Sequence, residues 1–221
     1  MTVERSETDV WNAPHPAIRT IASTLPASAR SKLSAYLDLL GKWNRVYNLT
    51  AIRGRDRMEA LHIEDALAVL PFLPKRRDLR ILDIGAGSGI PGIPLAIARS
   101  TWNIVLVDAN GKKAAFMRQA AIELELPNVT AAAVRIEDFR EVQPFDVAIS
   151  RAFSDLSTFV RVARNHVAPG GLIVAMKGAL PHDEIAALGE DIIVTATPSL
   201  DVPGVDAARH LVIMEAKGGL A

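Results

Sequence analysis

The chain contains no cysteine. Disulfides, thiolate zinc sites and cysteine nucleophiles are therefore excluded, and a reducing compartment is permitted without being required. Aromatic residues make up only 5 %, too few for a platform that stacks many bases at once. No apolar run approaches the roughly 18–20 residues needed to span a bilayer. The first ten residues, MTVERSETDV, are polar and mixed in charge, unlike a secretory signal. Net charge is also missing, at +0. These absences lead to the expectation of a cytoplasmic enzyme without membrane contact and without a metal centre.

What is present fits one sizeable core, or one core plus an appendage, in 221 residues. The charges are balanced but unevenly placed. Arg30, Lys32, Lys42, Arg45, Arg53, Arg55 and Arg57 face only Asp38 and Asp56 across residues 28–57. Residues 178–208 contain Asp183, Glu184, Glu190, Asp191, Asp201 and Asp206 and no Lys or Arg. Such polarity can orient a protein on a polyanion, although two solvated surfaces would look the same.

Hydrophobic spacing divides the chain into two zones. Leu33, Tyr36, Leu37, Leu40, Trp43 and Tyr47 fall on one face of a helix. A second helix is expected from about Asp56 to Leu70. Residues 1–75 then form a helical extension, and 76–221 the main domain. In that domain short apolar runs recur at Arg80–Ile84, Ile104–Asp108, Val129–Ile136, Asp146–Ser150, Leu172–Met176, Ile192–Ala196 and Leu211–Glu215. Helical stretches near Pro94–Arg99, Lys112–Leu124 and Ser157–Val167 separate the first five. This alternation predicts an α/β fold: a mostly parallel seven-stranded sheet with helices on both faces. The turn residues Pro198, Pro203 and Gly204 suggest a closing hairpin and an antiparallel edge.

The first strand runs into Asp83, Gly85, Gly87, Gly89, Ile90, Pro91 and Gly92. Glycines at a strand's carboxyl end allow a sharp turn and close approach of a ligand. Gly87, Gly89 and Gly92 match a dinucleotide fingerprint, and Asp108 follows at the end of the second strand, so a nicotinamide-dependent oxidoreductase is one alternative. Two features oppose it. Asp83 places a carboxylate at the loop entrance, where a pyrophosphate prefers bare amides. Pro91 removes a backbone donor. A cationic cofactor without phosphate, S-adenosylmethionine, suits the loop better. Asp108 can accept from two ribose hydroxyls, or serve the next helix as a cap. Ile136 and Glu137 follow the third strand, where an adenine would lie.

The segments LDIGAGSGIPGIPLAIA, KWNRVYNLTAI, HIEDAL, VDANGKKAAFMRQ, RIEDF, ISRAF and PGGLIVAMKG occur in this order over about residues 42–178. Together they resemble the ribosomal RNA small-subunit methyltransferase G family, also called glucose-inhibited division protein B. The resemblance implies a Rossmann-like class I methyltransferase that transfers a methyl group from S-adenosylmethionine to N7 of a guanine in 16S ribosomal RNA. The partner would be that RNA or a small-subunit particle, with the enzyme a monomer. It also implies cofactor contacts at Gly85, Ile90, Ile136, Glu137 and Arg151, and places Lys112, Lys113, Arg135 and Lys177 near the RNA or the transfer site. A methyltransferase of small molecules or proteins is the alternative within the fold.

Guanine N7 has a free lone pair and loses no proton on attack, so positioning outweighs base catalysis. The fourth strand ends in Ser150-Arg151, without the Asn- or Asp-Pro-Pro-aromatic sequence typical of enzymes that methylate exocyclic amines. Arg151 can contact a carboxylate of the cofactor, the guanine, a phosphate, or a neighbouring acid. Phe153 is read as core or as a stacking partner. His62 and Asp65, three apart on one helix, form either a dyad or a structural tie. Asn48, Leu49 and Thr50 read as a capped turn. Arg53, Arg55, Arg57 and the run Lys75-Arg76-Arg77 are candidates for phosphate contacts.

Overall fold

The computed structural model describes residues 20–151 and 153–217. The first 19 residues of the expected helical extension, and Ala152, lie outside them. Helix α1 (Ala27–Tyr47) forms where the 3.6-residue spacing predicts it. Leu33, Tyr36, Leu37 and Leu40 are buried, whereas Tyr47 stays 43 % exposed. Each fully buried side chain of this size contributes about 1.5–3 kcal/mol. The helix stops because Asn48 takes a left-handed conformation (φ 50), and the Asn44 side chain accepts the Thr50 N–H at 2.9 Å. The capped-turn reading of Asn48–Thr50 thus describes the geometry. The second helical stretch is composite. Short α segments α2 (Arg55–Met58) and α3 (Asp65–Leu67) flank a π-helix at Glu59–Glu64.

Among the described residues one sheet has seven strands: β1 (Arg80–Ile84), β2 (Asn103–Val107), β3 (Val129–Ala132), β4 (Phe145–Arg151), β5 (Val167–Lys177), β6 (Ile192–Ala196) and β7 (His210–Ala216). Their order is β3-β2-β1-β4-β5-β7-β6. The first five run parallel. β7 runs against both β5 and β6. The reversed strand therefore lies one place in from the edge, which β6 occupies, and residues 197–209 join the two in place of a tight hairpin.

Other boundaries also differ from expectation; β5, for instance, begins at Val167 and not at Leu172. β3 stops at Ala132 because its ladder with β2 ends at the Val107–Ala132 pair. Beyond it, Arg135 O accepts from Asp138 and Phe139 N–H in a turn. The helical stretch expected near Ser157–Val167 ends sooner, at Ala163, because Val167 already pairs with Phe145 in the sheet.

Helices α4 (Gly92–Ala98), α5 (Gly111–Glu123), α6 (Leu156–Ala163) and α7 (His182–Ala186) complete the fold. One sheet face carries Ile81, Ile104, Val147 and Val174 in a cluster with Leu40, Ile63, Ile93 and Phe116. The N-terminal helices and the first crossover helices thus share one core. The other face carries Leu82, Val105, Ala148 and Ile173, covered by Leu156, Phe159 and Val160 of α6. No helix among the described residues is long and apolar enough to cross a membrane.

Candidate active site

Parallel strands deliver their loops to one edge of a sheet, and ligands of open α/β folds bind there. In this chain that edge receives the glycine loop after β1, Asp108 after β2, Ile136 and Glu137 after β3, Arg151 at the end of β4 and Lys177 at the end of β5. β7 runs the other way, so its first residue, His210, also lies there, opposite Lys177.

The loop hangs from the end of β2. Gly85 and Ala86 N–H donate to Val107 O at 2.8 and 3.1 Å, and Gly87 N–H donates to Asp108 Oδ2 at 2.9 Å. The buried Tyr36 hydroxyl of α1 donates to Ser88 O at 2.6 Å, and burial pushes its pKa up. The glycines have two roles. At Gly89 an added Cβ would lie 2.4 Å from Ile93 Cδ1, and at Gly92 2.2 Å from Leu106 Cδ2. Gly92 thus allows α4 to pack on the sheet, and Gly89 leaves room for Ile93 of that helix. Gly85 and Gly87 have φ of +68 and +61, with nothing nearer to a Cβ than Gly85 O, 3.9 Å from that of Gly87. Their side of the loop forms an open cradle.

Asp83 corrects the sequence reading. Its carboxylate is fully buried beneath the loop instead of facing the cleft. Oδ2 accepts the Gly92 N–H at 2.9 Å. Oδ1 has no partner among the described residues. Burial raises its pKa to about 7, against the lowering effects of the Gly92 amide and of Arg151. Asp108 is not the helix cap. Asn110 caps α5 by accepting from Lys112 and Lys113 N–H, and Asp108 Oδ1 in turn accepts the Asn110 N–H at 2.8 Å. Lys113 Nζ stands 3.7 Å from Asp108 Oδ2.

Arg151 turns toward the π-helix. It donates to Leu61 O at 2.6 Å and reaches Asp65 Oδ2 at 3.3 Å. Asp65, 4 % exposed, also pairs with Arg209 Nε at 3.1 Å. Asp65 thus bonds to Arg151 and Arg209 and not to His62, so the two do not form a dyad. His62 Nε2 meets Thr50 Oγ1 at 3.1 Å. Burial first, and Arg151 second, lower its pKa to about 4. Beside this network opens a cavity of about 510 Å³ over Met176 and Leu200, reached by Lys177 and His210. Lys177 itself is paired with Glu184 at 2.8 Å. Phe153 packs against Phe159, with ring centroids 5.3 Å apart, as core.

The basic residues do not form one surface. Lys112 and Arg135 are exposed at the site's edge, with Lys112 Nζ 5.7 Å from the Tyr47 ring. Arg57 is exposed too. Arg55 is tied to α1 through Asp38 and both oxygens of Ser34. Arg53 folds back on Thr50 O, Ile52 O and Asn48 Oδ1. Lys75-Arg76-Arg77 precedes β1 and so lies at the opposite end of the sheet, where Arg76 pairs with Asp146 at 2.7 Å. Arg209, Tyr36 and His210 escaped the sequence reading. Arg209 alone carried a signal: it is the first basic residue after the stretch 178–208.

A family model described as rRNA small subunit methyltransferase G matches residues 29–212. The Ribosomal RNA small subunit methyltransferase G of Nitrosospira multiformis is 48 % identical over 208 residues, covering 91 % of this chain and 95 % of that one. Its namesake in Laribacter hongkongensis is 50 % identical over 188 residues, covering 85 % and 89 %. Among solved structures, a SAM dependent methyltransferase from Aquifex aeolicus is similar with a TM-score of 0.56 at 16 % identity, over 76 % of this chain and 96 % of that one. At that identity the likeness shows the fold, a Rossmann-like methyltransferase architecture. The family match takes in the glycine loop and every strand end that builds this edge, and the chain belongs to the rRNA small subunit methyltransferase G family.

Proposed function

We propose that this protein transfers a methyl group from S-adenosylmethionine to N7 of a guanine in 16S ribosomal RNA, presented as free RNA or in the small subunit. The observation that carries the proposal is near-half identity, over nine-tenths of the chain, to a protein named for methylating small-subunit ribosomal RNA. The site fits the cofactor. Gly85 and Gly87 leave an open cradle, Asp108 retains acceptor capacity beside it, and Ile136 offers an apolar face. Glu137 is exposed after the third strand, whereas Ile90 is buried in the core. Bound there, the cofactor supplies a methyl group activated on a sulfonium.

The protein's own share is placement. Asp83 holds the start of α4 under the loop, Tyr36 clamps Ser88, and Arg151 links β4 to the π-helix. His62 is neutral at physiological pH and has Thr50 and Leu61 O as partners. A nucleophile that sheds no proton makes no demand on it. On this reading, the helical region up to about residue 75 forms one wall of the acceptor site. The direct test is tritiated methyl transfer to unmodified 16S RNA followed by mapping of the labelled base. Label on another base, or none, rejects the proposal.

The two glycine roles separate by experiment. Gly92→Ala is expected to cost about 1–3 kcal/mol of stability through overpacking. Gly87→Ala should change stability by only about 1 kcal/mol while weakening S-adenosylhomocysteine binding at least about tenfold. Thermal unfolding and calorimetry read the two effects, and the reverse pattern would undo the assignment.

RNA should be held mainly through phosphates. Reversing charge at Arg57, Lys112 and Arg135 is expected to lower RNA affinity and reduce the salt slope by about one per lost contact, sparing cofactor binding. Arg55→Glu should instead loosen the α1–α2 junction. An unchanged salt slope in the triple variant would remove these residues from the RNA surface.

A further inference from the structure

The cavity beside Arg151 has a polar wall that placement of the cofactor leaves unused. Asp65 stands there between two guanidinium groups, with Arg151 at 3.3 Å from Oδ2 and Arg209 at 3.1 Å from Oδ1. Apolar residues, among them Ile52, Met176 and Leu200, also line the cavity. A carboxylate has about four acceptor positions, and each arginine takes one on its own oxygen. The remaining lone pairs belong to a group only 4 % exposed. Asp65 nevertheless lines the cavity, so a ligand there takes these lone pairs in place of the few waters that reach them.

This wall therefore presents two acceptors with a donor alongside. Guanine carries the complementary order on its Watson–Crick edge: O6 accepts, then N1–H and the 2-amino group donate. Adenine offers an amino donor and then the N1 lone pair, which would face the carboxylate. Cytosine presents acceptors at N3 and O2 and meets the same repulsion. A buried charge punishes such mismatches strongly, so discrimination comes from rejection as much as from attraction. A base gripped by its Watson–Crick edge leaves the N7 lone pair, on the Hoogsteen edge next to O6, free to attack provided the arginine bonds O6 alone. His62 adds no third positive charge to the wall, since burial and Arg151 keep it neutral.

We infer that Asp65 selects guanine, its carboxylate accepting from N1–H and the 2-amino group of a base turned out of the RNA into this cavity while a flanking arginine donates to O6. This rests on the reading of the chain as a guanine-N7 methyltransferase. The energy to extrude the base comes from the contacts it makes on arrival.

The test compares 16S RNA carrying guanosine or inosine at the methylated position. Inosine keeps N7, N1–H and O6 and lacks only the 2-amino group. With wild-type enzyme, kcat/KM is expected to fall about ten- to a hundredfold on inosine, the loss of a hydrogen bond to a charged acceptor. Equal rates on the two RNAs overturn the inference and leave the methyltransferase reading standing. No transfer to the guanosine RNA overturns both. Asp65→Ala supplies the second arm: its rate on guanosine falls, and its ratio between guanosine and inosine approaches one. A merely structural aspartate would lower both rates and keep the wild-type ratio, which also overturns the inference. If Asp65→Ala does not fold, Asp65→Asn, which keeps the size but loses the charge and one acceptor, takes its place: a guanosine-to-inosine ratio held at the wild-type value overturns the inference.

Discussion

Asp83→Asn is expected to stabilise the ligand-free protein by about 1–3 kcal/mol at pH 8 and to weaken cofactor binding indirectly, through the loop whose Gly92 N–H it holds. The stabilisation arises because Asp83 is fully buried with one carboxylate oxygen unpartnered among the described residues. Its folded pKa of about 7 compares with about 4 in an unfolded chain. Between those values the folded state holds a proton that the unfolded state has released. Stability from this group is thus present below about pH 4 and lost as pH rises through 7. Asparagine removes that loss of a few kcal/mol, at the cost of about 1–3 kcal/mol for an unmatched amide. His62 works in the opposite direction. Burial and Arg151 hold it near 4 against about 6.5 unfolded, so its contribution grows as pH rises across that interval. In the wild type the two slopes oppose each other. In Asp83→Asn the rising slope remains, and urea unfolding at pH 4.5, 6 and 8 should show a steeper gain than wild type. The same pH dependence in both proteins would show that Asp83 is not the group responsible. Such a residue, costly to fold and kept beneath a ligand loop, is where stability is exchanged for function.

Strand ends were legible in the sequence because short apolar runs flanked by charge or glycine have few other uses. β1 and β6 occur at the expected residues. Apolar pattern reports burial, however, and not the partner. Ile136 is buried, yet in a turn beyond the end of the β2–β3 ladder, so the third strand reads too long. The open side of the glycine loop was legible, since Gly85 and Gly87 keep the space that their spacing implies. The direction of Asp83 was not, because one residue's place along a strand does not reveal what the loop beyond it covers. Pairings far apart in sequence were harder still. Asp65 and Arg209 are 144 positions apart, and Tyr36 and Ser88 are 52. Linear clustering of charge does not give position either: Lys75-Arg76-Arg77 precedes β1 and so lies at the end of the sheet opposite the glycine loop.

Arg151→Ala is expected to lower kcat/KM for methyl transfer by about 10²–10³-fold, the usual effect of removing an organising donor from a site, while S-adenosylhomocysteine affinity changes by less. Three contacts would go at once: Leu61 O, Asp65 Oδ2 and the approach to His62 Nδ1 at 3.4 Å. Asp65 would keep Arg209 as a partner, so the full 3–5 kcal/mol of a broken buried pair should not appear. A loss nearer about 1–2 kcal/mol is expected, with the fold retained. Arg151→Lys should rescue only part of the activity. An ammonium is a point charge that cannot bridge a carbonyl, a carboxylate and an imidazole in one plane as a guanidinium does. His62 supplies an internal reporter. Desolvation is the larger cause of its low pKa and Arg151 the second, so in Arg151→Ala its titration, followed by NMR, should move up from about 4 yet stay below the ordinary value. A His62 that titrates unchanged would mean that Arg151 lies elsewhere in solution. A variant with normal transfer and a shifted His62 would place Arg151 in the architecture of the π-helix and outside the chemistry, and the acceptor cavity would then depend on Arg209 for the donor beside Asp65.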